Sequence, residues 1–292
     1  MIDLHLHTNH SDGTDTVAEL LEKAEQLKLE IISITDHDTV DAYKELENSE
    51  IRNKFSGQIL PGVEIKAICN NHNIEVLGYG IDPNKIKIYK CDNLQELMLE
   101  HFKQIANKYR IKYDKNLKIG KENVRKWASF TFAENILKNK ENIDKLEKLG
   151  EKELTEANFC RKCETNEKSI FYFDASKFVR DINDVIQDIH DAGGLAFFAH
   201  AYEYRFEDTK KEIENIIKTT SIDGFECQHS IYSEEQKEEI IQLCKKYNKY
   251  MSGGSDYHAK NKPDIQIGTG KNNNLHLEKE FVENWIKLLP KI

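Results

Sequence analysis

Short apolar segments that end in histidine, aspartate or glutamate recur along this chain of 292 residues. The first ends in His5-Leu6-His7, and both imidazoles would project from one face of a strand because strand side chains alternate with a period of two. Later segments end at Glu64, His200 and Asp256. Because the carboxyl ends of parallel strands meet at one rim, the pattern predicts a single site assembled from several strands.

Strand and helix patterns alternate at both ends of the chain. Most strand patterns are separated by amphipathic helical segments, which is typical of right-handed βαβ units and a parallel sheet. Polar residues at the strand ends favour a barrel over an open sheet, so we predict an α/β fold with about seven strands. The predicted strands are 2–6, 31–35, 59–65, 74–79, 195–199, 222–227 and 249–253.

The middle of the chain has a different composition. Residues 85–174 are rich in Lys, Glu and Asn and have helical periodicity. We predict a small helical insertion there, with Trp127, Phe130 and Phe132 in its own core, that covers the mouth of the barrel and selects the substrate. The barrel itself would consist of residues 1–84 and 175–292.

Composition excludes some classes of function. The net charge is −9 and 32% of the residues are charged, so the chain lacks the basic excess of a duplex-DNA-binding protein. We see neither a signal peptide nor an apolar segment of membrane-spanning length. Six scattered cysteines suit a reducing compartment. We therefore expect a soluble cytoplasmic protein that does not bind a membrane.

Eight of the histidine and acidic residues have the chemistry of metal ligands. Their mixture of imidazole and carboxylate suits Zn, Mn or Fe. Eight ligands are too many for one tetrahedral ion, so we predict two or three divalent ions that share a carboxylate. Such clusters activate water for hydrolysis of phosphate esters. The candidates are His5, His7, Asp12, His37, Glu64, His200, Asp256 and His258.

Five ordered motifs resemble those of the PHP (polymerase and histidinol phosphatase) domain. They are His5-x-His7 with Ser11-Asp12-Gly13, Thr35-Asp36-His37-Asp38, Gly62-Val63-Glu64, Ala199-His200 and Gly254-Ser255-Asp256-Tyr257-His258. The segments Leu77–Asp82 and Gly193-Gly194-Leu195 further resemble stand-alone PHP phosphoesterases of the nucleoside 3′,5′-bisphosphate phosphatase branch. The resemblance implies a distorted (β/α)7 TIM-like barrel with a trinuclear metal site.

The resemblance also implies which residues hold each ion. His5, His7, Glu64 and Asp256 would hold the first ion, and Asp12, His37 and His258 the second. Glu64 would bridge to a third ion that is also bound by His200 and by a residue on the strand ending Leu77-Gly78-Tyr79.

Relatives carry histidine two residues before this Leu-Gly pair, where the chain has Glu75. An unpaired carboxylate is costly to bury in a strand. We therefore expect Glu75 to be a ligand, which would make the third site harder and better suited to Mn or Mg. The alternative is that Glu75 only forms a salt bridge and that His72 takes the place of the missing histidine as the metal donor.

Further residues are candidates for catalysis and substrate binding. Asp36 would orient His37 or a neighbouring ligand. Asp38 would protonate the leaving group. Relatives have a phosphate-contacting arginine after the equivalent of His200, and this chain lacks it, so Arg205 or His229 would contact the substrate instead.

The leading functional hypothesis is hydrolysis of a small phosphomonoester by a metal-bridging hydroxide. A nucleotide such as a nucleoside 3′,5′-bisphosphate is the preferred substrate. The alternatives are a 5′-3′ exoribonuclease that trims short RNA, a histidinol-phosphatase-like enzyme and a non-catalytic metal-binding PHP module. A groove lined by Lys121, Arg125, Lys126 and Trp127 would favour RNA.

Overall fold

The structure, a computed structural model, divides the chain into two compact units. One unit comprises Met1–Tyr89 and Val179–Ile292, and we call it the β-unit; the other, Lys90–Phe178, is the helical unit. The structure describes residues 1–70, 72–89, 94–119, 127–156, 158–175, 178–204 and 206–292.

The β-unit contains two larger sheets and a short hairpin. The first sheet is parallel and consists of β1 (Ile2–Leu6), β2 (Ile31–Ile34) and β3 (Gln58–Ile59). The second has the order β4 (Gly62–Cys69), β5 (His72–Tyr79), β6 (Leu195–Phe198), β7 (Gly224–His229) and β8 (Tyr250–Gly254). The hairpin is formed by β9 (Ile265–Gln266) and β10 (Gly270–Lys271).

The direction of β5 corrects the prediction of a wholly parallel sheet. β5 is antiparallel to both β4 and β6, whereas β6, β7 and β8 are parallel. Only two residues separate β4 from β5, which is a hairpin connection and too short for a crossover helix. The sheet is therefore mixed.

Two isolated bridges connect the larger sheets near the ends of their strands. Leu6 pairs with Tyr257, which follows β8, and His37, which follows β2, pairs with Glu64 on β4. The mixed α/β class is confirmed, while the closed (β/α)7 barrel stays a prediction.

Amphipathic helices cover the outside of these sheets. The helices of the β-unit are α1 (Val17–Gln26), α2 (Ala42–Glu45), α3 (Ser49–Arg52), α7 (Ile182–Asp191), α8 (Thr209–Thr219), α9 (Glu234–Tyr247) and α10 (Lys279–Ile286). Helix α1 packs its apolar face, Val17, Leu20, Leu21 and Ala24, with the apolar residues of β1 and β2. Helices α7, α8 and α9 bury their apolar faces with the five-stranded sheet.

An apolar cluster fills the interior at the amino-terminal ends of β1 and β2. Ile2 and Leu4 of β1 pack there with Tyr79, at the end of the antiparallel β5, and with Trp285 of α10. The Trp285 indole donates to the carbonyl of Met251 at 2.9 Å. Because this end is filled with apolar side chains, the polar residues lie at the opposite ends of β1 and β2.

The helical unit has its own aromatic core. Phe102, Phe132, Phe159 and Phe171 are fully buried and lie in mutual ring contact. Its helices are α4 (Leu94–Tyr109), α5 (Ala128–Leu137) and α6 (Lys140–Lys148), followed by a π-helical turn at Cys160–Glu164. Of the predicted core residues, Phe132 is fully buried, whereas Phe130 and Trp127 are partly exposed.

In the part of the chain that the structure describes, no helix is both long enough and apolar enough to cross a bilayer.

Candidate metal centre

Strand ends bring all nine predicted metal ligands into one cluster. Each lies in or a few residues beyond a strand of the two larger sheets, apart from Asp12, which lies in the loop after β1. The side chains form overlapping groups whose ligand atoms lie within 4.8 Å of one another. These groups include His5, His7, Asp12, His37, Glu64, Glu75, Asp256 and His258, and also His229; His200 joins them through its contact with Glu75.

The β4–β5 hairpin explains how Glu64 and Glu75 meet. Glu64 is paired with Leu77 and Lys66 with Glu75, so all four side chains share one face of the antiparallel ladder. Leu77 on that face belongs to the interior apolar cluster. The opposite face, which includes Val76, packs with α7. Register therefore directs both carboxylates to the interior.

Close approach of β1 and β8 brings the histidines of β1 to Asp256. A Cβ atom on Gly254 would lie 2.4 Å from the backbone nitrogen of His5, so only glycine fits. The backbone of Asp256 donates to the carbonyl of His5 at 2.9 Å, and His7 donates to that of Tyr257 at 3.0 Å. These bonds fix the two strand ends side by side.

Three imidazoles converge on one oxygen of Asp12. His258 Nε2 lies 3.0 Å from Asp12 Oδ1, and both His7 Nδ1 and His37 Nε2 lie 3.7 Å from it. Burial disfavours the charged carboxylate, yet His37 and His258 hold the pKa of Asp12 well below its usual range. Burial lowers the pKa of His37 to about 3, because it disfavours the charged imidazolium form.

A second group surrounds Glu64, which is fully buried. Glu64 Oε2 lies 3.1 Å from His5 Nε2 and 3.2 Å from His7 Nε2. The same two nitrogens lie 3.6 and 3.5 Å from Asp256 Oδ1. Both imidazoles thus lie close to both carboxylates, and these are the four residues that the family resemblance implies for the first ion.

The third group combines Glu64 and Glu75 with two histidines. His200 Nε2 lies 2.8 Å from Glu64 Oε1 and 3.4 Å from Glu75 Oε2. His37 Nδ1 lies 3.2 Å from Glu64 Oε2 and 3.4 Å from Glu75 Oε1. Burial and the neighbouring Glu64 carboxylate raise the pKa of Glu75 to about 7. A cation at this point would relieve the repulsion between the two acids.

His72 lies at the other end of the same strand. It is exposed, pairs with Cys69 beside the hairpin turn, and its ring contacts Phe206. The structure therefore brings Glu75, and not His72, next to His37 and His200.

Unsatisfied buried atoms fit the presence of metal ions. His7 Nε2 and Asp12 Oδ1 are buried in the cluster without a well-aligned hydrogen bond. Buried polar atoms normally have partners, and an atom left without one carries a cost of about 1–3 kcal/mol. The donor set of imidazoles and carboxylates suits Zn, Mn or Fe. The residues present therefore fit the predicted cluster of divalent ions.

His229 lies inside this cluster. Its side chain is fully buried at the end of β7, and its Nε2 lies 3.4 Å from Asp256 Oδ2. Nδ1 accepts a long hydrogen bond from the backbone of Ile231 at 3.4 Å. A neutral imidazole with this bond carries its proton on Nε2, which makes His229 a donor towards Asp256.

Asp36 and Asp38 take positions beside the ligands. Asp36 accepts bonds from Thr8 and from the hydroxyl of Ser11, which lies 3.4 Å from His7 Nδ1. Both its oxygens are thus engaged in bracing the loop of His7, and a catalytic role of Asp36 stays a prediction. Asp38 accepts a bond from the backbone of Lys66 at 3.1 Å. Arg205, like Lys121, Arg125 and Lys126, lies outside the described residues.

Sequence reasoning missed Glu226 on β7. This fully buried carboxylate accepts from His5 Nδ1 at 2.9 Å and from the backbone of His200 at 2.8 Å. It thereby fixes the tautomer of His5, whose Nε2 is left to face Glu64 and Asp256. An acidic residue inside an apolar strand was the available signal, the same one that drew attention to Glu75.

Two residues at the site have unusual backbone conformations. Asp38 has a φ of 50° and Asp256 a φ of 56°, in the left-handed region that non-glycine residues rarely occupy. Such conformations cluster at functional sites because the surrounding structure enforces them. Here they aim side chains of two different loops at the cluster.

Comparison with known proteins now identifies the family. The PHP domain model matches residues 3–251. The chain therefore belongs to the PHP domain family, and the predicted class of enzyme, a metal-dependent phosphoesterase, is confirmed.

Individual relatives align with almost the whole length of the chain. A 5′-3′ exoribonuclease of Haemophilus influenzae is 27% identical in an alignment 303 residues long, gaps included, that covers 98% of each protein. A 3′,5′-nucleoside bisphosphate phosphatase of Chromobacterium violaceum is 23% identical, over 91% of this chain and 90% of that protein. A solved structure from Bifidobacterium adolescentis, described as a metal-dependent phosphoesterase, is 24% identical with a TM-score of 0.65. It covers 94% of this chain and 93% of its own, and it supports the fold alone.

Proposed function

We propose that this protein hydrolyses a phosphate ester of a nucleotide, with a nucleoside 3′,5′-bisphosphate as the expected substrate. The observation that carries the proposal is the convergence of imidazoles and carboxylates from both sheets on Asp12 and Glu64. Two or three divalent ions would bind there. The name of the bisphosphate phosphatase relative supports the choice of substrate.

The three groups of ligands would hold different ions. His7, Asp12, His37 and His258 form one group, and His5, His7, Glu64 and Asp256 a second, with imidazoles that suit Zn, Mn or Fe. The third group, in which His37 and His200 face Glu64 and Glu75, has the same number of carboxylates as the second. Its difference from the relatives is Glu75 in place of a histidine, and this exchange would favour Mn or Mg there more than in the relatives.

Bound ions would supply positive charge that activates a water nucleophile and stabilises the charge developing on the phosphoryl group. The chain's own residues would arrange this charge. Glu226 orients His5, and Asp36 braces the loop of His7 through Ser11. His229 would present its Nε2 proton to a substrate oxygen, and Asp38 would act on the leaving group.

A second candidate is exonucleolytic hydrolysis of short RNA from the 5′ end. The exoribonuclease relative, aligned over 98% of both proteins, favours it. The two candidates involve related chemistry. A nucleoside 3′,5′-bisphosphate carries phosphate on the same two oxygens, 5′ and 3′, as the first nucleotide of a 5′-phosphorylated RNA. The same metal cluster would serve either substrate, and chain length would distinguish them.

The test measures product release from matched substrates. The purified protein, loaded with Mn, Zn or Mg, is given a nucleoside 3′,5′-bisphosphate, short 5′-phosphorylated RNAs and the same RNAs with a 5′-hydroxyl. We expect inorganic phosphate from the bisphosphate, and mononucleotides from the RNAs if the second candidate also holds. Chelation should remove both activities, and added metal should restore them.

Two outcomes separate the hypotheses. Mononucleotide release without bisphosphate turnover would replace the first candidate by the second. A metal-loaded protein that leaves every ester intact would contradict both and favour a binding module, in which metal removal changes thermal stability alone.

A further inference from the structure

Lys262 lies at the edge of the metal cluster and is not among the candidate metal ligands, catalytic residues or substrate contacts. It follows the short 3-10 turn Ala259–Asn261, directly after the ligand His258. Its ammonium group pairs with Oδ2 of Asp256. The Asp256 side chain is only 4% exposed, whereas that of Lys262 is 35% exposed. Lys262 thus connects a buried ligand with solvent.

The two oxygens of Asp256 have different surroundings. Oδ1 lies 3.5 and 3.6 Å from the Nε2 atoms of His7 and His5, on the side of the candidate metal group. Oδ2 meets Lys262 and, at 3.4 Å, His229 Nε2. One carboxylate therefore separates the metal ligands from a pair of N–H donors.

His229 provides an independent sign that this point lacks a strong acceptor. Its fully buried Nε2 lies 3.4 Å from Asp256 Oδ2 and has no well-aligned hydrogen-bond partner. A buried N–H group left in this way is uncommon in folded proteins. Lys262 Nζ and His229 Nε2 therefore meet at Oδ2 of Asp256, beside the metal cluster.

Charge balance indicates what chemistry that region would recognise. Without ions, Lys262 feels attraction from Asp256, Glu203 and Asp12. Divalent ions bound to Asp12 and Asp256 would neutralise those two carboxylates. Glu203 would remain as an acidic neighbour of Lys262, and the positive charges of the ions and the lysine together would attract an anion to the exposed side of the cluster.

We propose that Lys262 Nζ and His229 Nε2 form a subsite for a non-bridging oxygen of the substrate's phosphate group. This inference rests on the proposed function, because it deepens the description of the same site. The lysine would share its hydrogen bonds between Asp256 and the phosphate, since an ammonium group has three donors. Lys262 would be a residue of substrate recognition and not a metal ligand.

The first test measures binding of inorganic phosphate to the metal-loaded protein by calorimetry. Lys262→Met should raise the Kd for phosphate by about 10- to 100-fold, the usual size of a lost charged hydrogen bond. Lys262→Arg should recover most of the affinity because it keeps the charge. Lys260→Met is the matched control, since Lys260 is exposed on the same turn, and it should leave the Kd unchanged.

Metal content is measured on the same samples by mass spectrometry. We expect Lys262→Met to retain the wild-type metal stoichiometry. An unchanged phosphate Kd in the loaded variant would overturn the subsite, whether or not metal is lost. If Lys262→Met does not fold, Lys262→Gln replaces it, because the amide can still donate to Asp256.

The proposal and the proposed function fail in different ways. Phosphate binding that depends on Lys262, in a protein that hydrolyses none of the esters, would keep the subsite and remove the proposed function. An active enzyme in which Lys262→Met changes neither KM nor phosphate affinity would remove the subsite and keep the proposed function.

Discussion

The β-unit and the helical unit bury polar side chains in opposite ways. In the helical unit, Asn142 is fully buried and makes three bonds, with the backbone of Lys112 and with the carbonyl of Ile136. Glu151 likewise accepts from Ser169 and the backbone of Ile170. These groups complete the hydrogen bonding of loops around an aromatic core.

The β-unit instead collects buried polar groups whose bonding is incomplete. His7 Nε2, Asp12 Oδ1 and His229 Nε2 all lack a well-aligned partner. Incomplete bonding is costly, so it persists where a ligand completes it. Among the described residues, incomplete bonding is not confined to the site, since Thr131 Oγ1 of the helical unit and Asn73 Oδ1 of the β-unit also lack a well-aligned partner. The cluster differs in that its incompletely bonded atoms belong to imidazoles and carboxylates, which are the side chains that bind metal ions.

The largest expected effect comes from removing a ligand in the β-unit. His7→Ala and Asp256→Asn should each lower kcat by at least about 100-fold, since the charge stabilisation that depends on these ligands is lost. Secondary structure measured by circular dichroism should be retained. Near-normal turnover in either variant would contradict the assignment of this cluster to catalysis.

In the helical unit, the corresponding change should affect stability and not the site. Asn142→Ala leaves the N–H of Lys112 and the carbonyl of Ile136 without their partner, which should cost about 2–3 kcal/mol. Thermal unfolding measures that loss. Metal stoichiometry of the folded variant should equal that of the wild type, and a fall in stoichiometry would break the distinction between the two units.

A smaller effect is expected from Glu226, which acts through a ligand. Glu226→Gln places an amide where His5 and the backbone of His200 both need an acceptor. Metal affinity should fall by about 10- to 100-fold, as is usual when the partner of a ligating histidine is lost. Competition with a chromophoric chelator measures it.

Glu151→Gln is the matched control for this prediction. It alters an equally buried carboxylate in the helical unit and should leave metal affinity unchanged. Equal affinities in Glu226→Gln and the wild type would mean that Glu226 only supports the strand.

The smallest effect concerns a histidine of the β-unit outside the cluster. His190 Nε2 lies 2.7 Å from Asp223 Oδ2, and this hydrogen bond raises the pKa of His190. Its folded-state pKa exceeds the unfolded value, so the added stability is complete below pH of about 6.5 and disappears as pH rises through the raised pKa. Because the pair is partly exposed, we expect less than about 1 kcal/mol.

Urea unfolding of the wild type and His190→Gln at a series of pH values measures this contribution. The difference in free energy of unfolding should be larger at pH 6 than at pH 8. A difference that is independent of pH would assign the contact to packing.

The candidate ligands could be named from the sequence because they follow local rules. His5 and His7 are two residues apart in a strand pattern, and Glu75 interrupts an apolar run, so their common face could be inferred from sequence. That the three ligand groups share residues could not be inferred from the sequence. His37 contacts Asp12 through Nε2 and both Glu64 and Glu75 through Nδ1, which depends on ring orientation.

Non-local features escaped prediction for similar reasons. The pairing of β5 with β6, which is more than 110 residues distant in the chain, has no local signal, whereas the antiparallel direction of β5 follows from its short connection to β4. Glu226 and Lys262 gain their roles only from contacts with His5 and Asp256. Neither has a spacing signature: Glu226 stands out only as an acidic residue in an apolar strand, and Lys262 is an ordinary charged residue until the fold brings it to the cluster.

The hairpin of β4 and β5 has a consequence for the choice of donor at the site. Its eight paired positions fix which side chains enter the interior independently of what those side chains are. A substitution at position 75 would therefore change which donor meets His37 and His200, while the hairpin keeps its register.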